Sequence, residues 1–142
     1  HGLTYSGHPV SAAVGLAVLD LYLEGGILAN GQARGPQMLA GLSALADHPL
    51  VGDVRGSGML AAIELVSDKA TKAPFAPALG ISNRLSTAGY RNGIIFRAFA
   101  DGTIGFAPAL SCSEAEMDML LARLRTTLDQ VLDEPEVRNA LA

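Results

Sequence analysis

The stretch PVSAAVGLAVLDLYLE, from Pro9 to Glu24, limits what this chain can fold into more than any other segment. Pro9 suits the first helical position and Gly25-Gly26 suits a C-terminal stop, so the segment predicts one helix. Val10, Val14, Leu16, Ala17, Val18, Leu19, Leu21 and Leu23 spread around nearly its whole circumference rather than forming a stripe. A helix of that kind is buried on more than one side. A chain of 142 residues fits one domain with its own core, yet it is too short to surround this helix as well. The composition agrees, with 49% hydrophobic and only 17% charged residues against roughly 25% charged in an average soluble domain. A large partner surface or a neighbouring domain would use the surplus.

The rest of the chain alternates between helical and strand periods. Ile27 to Asp47 predicts a second helix with Met38, Leu42 and Leu45 on one face, kinked or broken at Gly35-Pro36. From Met59 to Val66 the period changes to that of a strand, with Gly56 and Gly58 marking a bulge or bend before it. Ser67 to Pro77 is a polar loop, and Leu79 to Asn92 a third helix with Ile81, Leu85 and Ala88 inward and Gly93 as its stop. Asp101-Gly102 is a hairpin turn between strands near Ile94–Phe99 and Thr103–Ala107. Ser113 and Glu116 make an S-x-x-E capping box. They open a helix striped by Met117, Leu120, Leu121, Leu124, Leu128 and Val131, and Pro135 ends it. This order predicts an α+β fold, a small and mainly antiparallel sheet of about three strands covered by helices on one face.

Charge and cysteine usage exclude several functions. A net charge of −4 argues against nucleic acid, which demands a basic footprint. Cys112 is the single cysteine, so an internal disulfide is excluded. Asp20 and Glu24 interrupt the longest apolar run before it reaches the ~18 residues of a membrane span, and no basic segment precedes it as in a signal peptide. The expectation is a soluble, cytoplasmic protein without a membrane or nucleic-acid partner. His1, His8 and His48 are too scattered to be metal ligands, so no metal is expected. Glu114, Glu116 and Asp118 fall in the first turns of a helix, where negative charge offsets the dipole.

Two features could carry chemistry. In HGLTYSGHP, Thr4, Tyr5 and Ser6 stand just ahead of the first helix, where hydroxyls and backbone N–H groups either cap the helix or bind an anion. From the residues alone, capping is the simpler reading. Arg97 shares a strand face with Ile95 and Phe99, so a guanidinium points the same way as two large apolar groups. An unpaired buried charge is costly, and spacing alone favours an internal acid as its partner over a ligand. Arg55, beside two glycines, is read in the same way.

HGLTYSGHP, VRGSGMLAAIEL, RNGIIFRAFADGTIGFAPAL and SEAEMDML, in this order, resemble the C-terminal part of class III aminotransferases. These are pyridoxal-phosphate enzymes of the aspartate-aminotransferase fold (fold type I). The likeness runs from His1 to about Leu132. It implies that Thr4 reaches across a homodimer to the cofactor phosphate of the neighbouring subunit, and that Leu3 lines the neighbour's substrate pocket. It also implies a division into a phosphate loop and interdomain helix, residues 1–24, and a small C-terminal domain, residues 25–142. Relatives acting on ornithine, acetylornithine or 4-aminobutyrate typically carry an arginine where this chain has Gly105. Arg97 instead matches the movable arginine of ω-amino-acid and amine:pyruvate aminotransferases, which pairs with the carboxylate of the keto acid.

The family's lysine, which holds the cofactor covalently and moves the proton, precedes the HGxTYSGHP segment. Lys69 and Lys72 are this chain's lysines, and neither matches it, so no catalytic residue is assigned here. The aspartate for the pyridine nitrogen also lies upstream in the family. The expectation is a fragment lacking an N-terminal large domain and inactive alone. Its parent would be a homodimer acting on a small-molecule amine and a keto acid. Another class III reaction, such as that of an aminomutase or decarboxylase, is the nearest alternative. A non-catalytic α+β dimerisation or binding module is the rival from another class.

Overall fold

The computed structural model describes residues 2–142; His1, at the head of the HGLTYSGHP segment, lies outside them. Helix α1 (Pro9–Leu23) starts on Pro9 and ends where Gly26 takes a φ of +71°. Helix α2 (Ile27–Ser43) leaves it at a 64° bend. No single helix among the described residues is long and apolar enough to cross a membrane. α1 has no buried residue at all: Val10 and Leu16 are each 64% exposed and Leu23 is 80% exposed. The chain thus leaves bare the helix whose sequence asks to be covered on several sides.

The sheet has four antiparallel strands rather than about three, in the order β1-β2-β4-β3. They are β1 (Val51–Ser57), β2 (Leu60–Leu65), β3 (Arg97–Ala98) and β4 (Thr103–Phe106). The strand missing from the sequence reading is β1. VGDVRGS holds two glycines and two charges, and only Val51 is buried, so no alternation marks it. Gly56 is therefore still in β1, paired with Ala61, and Gly58-Met59 is the hairpin turn between β1 and β2, with Gly58 at φ +56°. The irregularity of register lies earlier, between Val51 and Asp53. The second hairpin turns through Asp101-Gly102 as expected. Gly102 sits at φ +88°, and the Asp101 carboxylate accepts the Thr103 N–H at 2.9 Å.

Helices α2, α3 (Ile81–Arg91) and α4 (Glu114–Leu132) pack on one face of this sheet. Ala61, Ile63, Leu65, Ile104 and Phe106 from the strands join Met38, Leu42, Leu85, Met117, Leu124, Leu128 and Val131 in one core. α2 runs unbroken through Gly35-Pro36. Packing of Met38 and Leu42 carries it past the missing N–H, and Gly35 is needed because a Cβ would meet the Gly58 carbonyl oxygen at 2.7 Å. α3 begins two residues later than expected, after a 3₁₀ turn over Pro77–Leu79 and Gly80 at φ +62°. The capping box of α4 is complete: Ser113 Oγ accepts the Glu116 N–H, and the Glu116 carboxylate accepts the Ser113 N–H at 2.8 Å. Pro135 lies beyond its end and opens the short α5 (Pro135–Arg138).

One buried titratable group ties these layers together. The ring of His48, between α2 and β1, accepts the Leu50 N–H at Nδ1 (3.2 Å). Its Nε2 lies 3.3 Å from Asp129 Oδ1 on α4, without hydrogen-bond alignment. Burial pushes the imidazole below its usual 6.5, outweighing the upward pull of Asp129. A histidine harder to protonate folded than unfolded contributes stability that is fully present above pH 6.5 and lost as pH falls through its folded pKa. The melting temperature is therefore expected to decline as the pH falls below 6.5, ahead of most carboxylate titration. His48→Gln should flatten that segment in calorimetric melts; an unchanged slope would remove His48 as its source.

Candidate functional site

Because α2, α3 and α4 cover one face of the sheet, the other face stays open. Along IIFRAF the side chains alternate: Ile94 is buried and Phe96 packs on Phe106, with ring centroids 6.0 Å apart, while Ile95, Arg97 and Phe99 turn outward. Gly89 of α3 makes room for the Phe96 ring, which a Cβ there would meet at 2.8 Å. The open face forms a groove of about 960 Å³ whose lining includes Arg55, Ala62, Ile95, Arg97, Phe99 and Gly105.

Register puts four of these in one row across the sheet. Arg97 pairs with Gly105, Gly105 with Ala62, and Ala62 with Arg55. At about 4.8 Å per strand, the two arginines stand roughly 14 Å apart at the backbone with only small residues between them. Their electrostatic situations differ. Arg55 donates to Asp53 Oδ2 and Glu64 Oε2, both at 2.9 Å, and these bonds raise its pKa further, Glu64 first. Arg55 is therefore the internally paired one.

Arg97 corrects the sequence reading. Among the described residues no carboxylate lies within ion-pair distance of it. The internal acid is unnecessary because Ile95, Arg97 and Phe99 occupy the open face: Ile95 is 82% exposed, so the guanidinium beside it keeps its water. Its carbon rests 5.4 Å from the centroid of the Phe99 ring. Gly105 is the residue directly across from Arg97. A cation at either position would reach the same part of the groove.

The opening loop is elsewhere. It turns on two backbone bonds, Ser6 N–H to Leu3 O (3.0 Å) and His8 N–H to Tyr5 O (3.2 Å), with Gly7 at φ +75°. The cap of α1 is His8, whose Nδ1 accepts the Ser11 N–H at 3.3 Å. The hydroxyls of Thr4, Tyr5 and Ser6 do not cap the helix, and among the described residues they make no hydrogen bond. Leu3 is 73% exposed. Neither Leu3 nor Thr4 lines the groove that holds Arg97.

Both lysines are engaged away from the groove. Lys69 Nζ donates to Ala46 O (2.6 Å) and His48 O (3.2 Å), and Lys72 Nζ to Gly52 O (2.5 Å). Sequence reasoning missed the row through Ala62 and Gly105 and the partners of Arg55, since both depend on β1. Its one signal was that Asp53, Arg55, Ala62 and Glu64 keep an even spacing in pairs, two residues apart on each strand.

The family model for class-III aminotransferases matches residues 1–128. A diaminobutyrate–2-oxoglutarate transaminase of Halomonas elongata is 41% identical over 135 residues, covering 94% of this chain and 29% of that protein. A putrescine–pyruvate aminotransferase of Pseudomonas aeruginosa is 41% identical over 131 residues, covering 92% of this chain and 28% of that protein. The crystal structure of a thermostable (S)-enantioselective omega-transaminase from Thermomicrobium roseum aligns with a TM-score of 0.88 at 44% identity, covering 94% of this chain and 30% of that one. The chain spans less than a third of the length of these relatives.

Proposed function

The chain belongs to the class III aminotransferases, and from that premise we propose that it is the C-terminal part of a pyridoxal-phosphate-dependent ω-aminotransferase. The whole enzyme moves an amino group from an ω-amino acid or amine to pyruvate or a similar keto acid. Its smallest active unit is a homodimer, and a large N-terminal domain supplies the remaining cofactor contacts. Residues 1–24 act as phosphate loop and interdomain helix and residues 25–142 as the small domain. The bare apolar circumference of α1 supports this division.

The observation that carries the reading is the unpaired guanidinium of Arg97 on the open face, across from a glycine. A planar fork of N–H donors suits a carboxylate held by two parallel bonds. The relatives' names support the substrate class. Diaminobutyrate and putrescine are donors with a terminal amino group, and 2-oxoglutarate and pyruvate are acceptors with a carboxylate beside the keto group. Arg97 binds and orients that carboxylate, and Leu3 shapes the neighbouring subunit's pocket. The full-length enzyme is expected to form alanine from pyruvate with a terminal amine as donor, followed by chromatography. Absence of alanine with every such amine would overturn the reading.

Pyridoxal phosphate, when bound, stores the amino group between the two half-reactions. The residues of this chain fit one end of it: Thr4 has an exposed hydroxyl free to donate to a phosphate oxygen. Thr4→Ala in the full-length enzyme should weaken cofactor retention by about 1.5–3 kcal/mol, roughly 10- to 150-fold in Kd. Fluorescence titration of the dialysed enzyme checks this, and wild-type affinity would remove Thr4 from the site.

A further inference from the structure

We propose that Phe99 is a positioning residue for Arg97: its ring is the platform that pre-orients the guanidinium toward a carboxylate, and it thereby helps set the preference for carboxylate-bearing substrates. The proposal rests on the reading of Arg97 given above and adds a residue which that reading does not use.

The platform is built into the hairpin. Phe99 follows Arg97 by two residues on the same outward face, and the guanidinium carbon stands 5.4 Å from the ring centroid. The backbone of Phe99 is held at three points. Its N–H donates to Thr103 O (2.8 Å), and its carbonyl accepts from the Gly102 N–H (3.1 Å) and from Ser82 Oγ on α3 (2.5 Å). The ring lies against Gly105, where a Cβ would come within 3.3 Å of Phe99 Cε2 and 3.8 Å of Arg97 Cβ. Gly105 is thus the slot that lets ring and arginine share one place.

The contact with the ring takes up none of the guanidinium's N–H donors. Arg97 makes no hydrogen bond with the described residues from those donors. A long side chain loses rotamer freedom when it grips a ligand. One already resting over an anchored ring has lost part of that freedom beforehand, so the carboxylate binds more tightly than it would to a free arginine.

The test compares propionate with propionamide as inhibitors of amine deamination by the full-length holoenzyme, reading the ratio of their inhibition constants. That ratio isolates the carboxylate. Phe99→Leu is expected to raise it about two- to fivefold, the size of an exposed guanidinium–ring contact, and Phe99→Trp to keep it at or below the wild-type value. In an Arg97→Ala background, Phe99→Leu should no longer move it. A ratio unmoved or lowered by Phe99→Leu, while Arg97→Ala raises it, would overturn the platform and leave the carboxylate reading standing. Equal increases from Leu and Trp, or an effect that persists without Arg97, would make the ring mere filler and overturn the proposal. An Arg97→Ala enzyme with the wild-type ratio would overturn both readings together.

Discussion

Arg97→Ala in the full-length enzyme is expected to lower kcat/KM for pyruvate by roughly 30- to 1000-fold, while deamination of a donor amine lacking a carboxylate survives within a few-fold. The span corresponds to about 2–4 kcal/mol, what one charged, bidentate anchor supplies to a carboxylate. The asymmetry follows from position. Arg97 projects from a two-residue edge strand into an open groove, contacts Phe99, and has no ion-pair partner among the described residues. Removing it therefore breaks no internal pair and leaves no acid stranded, so the fold should not suffer. Arg55 makes the contrast, since its loss would strand Asp53 and Glu64 side by side on the open face. Single-turnover spectra of the two half-reactions, recorded separately, measure the effect. Equal slowing of both would make Arg97 structural. No slowing of either would move the carboxylate to a residue outside this chain and remove the main support for an ω-aminotransferase.

What could be read in the sequence depended on whether a residue's neighbours in space are also its neighbours in the chain. The capping box at Ser113 and Glu116, the stripe of α4 and the Asp101-Gly102 turn are local, and all three are found as expected. The all-round apolar character of α1 was legible for the same reason. β1 was not, because VGDVRGS is held by pairing with β2 from Leu65 back to Leu60 rather than by its own apolar pattern. With β1 unseen, Arg55 had no visible partner and the row Arg55–Ala62–Gly105–Arg97 could not be drawn. The shared face of Ile95, Arg97 and Phe99 was visible from period two alone. Which side of the sheet that face occupies was not, since it depends on where α2, α3 and α4 pack. The inferred acid partner for Arg97 came from taking that face as buried. Gly35-Pro36 misled in the opposite sense: a local breaker is overridden by the packing of Met38 and Leu42 beyond it.

The chain by itself is expected to show no aminotransferase activity and to attach no cofactor covalently. Amino transfer needs an amine that is free to bond to the cofactor and then to move a proton. Lys69 and Lys72 are the lysines of this sequence, and both are already employed. Lys69 donates to the carbonyls of Ala46 and His48, tying down the turn between α2 and β1. Lys72 donates to Gly52 O from a residue at φ +60°. Neither lines the groove that holds Arg97, and Thr4 stands on a separate loop outside it. Supplying cofactor, a terminal amine and pyruvate to the purified chain should therefore leave alanine at the uncatalysed background. Borohydride reduction followed by peptide mass mapping should add no pyridoxyl group at Lys69 or Lys72. A stoichiometric adduct at either lysine, accompanied by turnover of the amine, would place the whole chemistry within these 142 residues and overturn the assignment of this chain to one part of a larger active site.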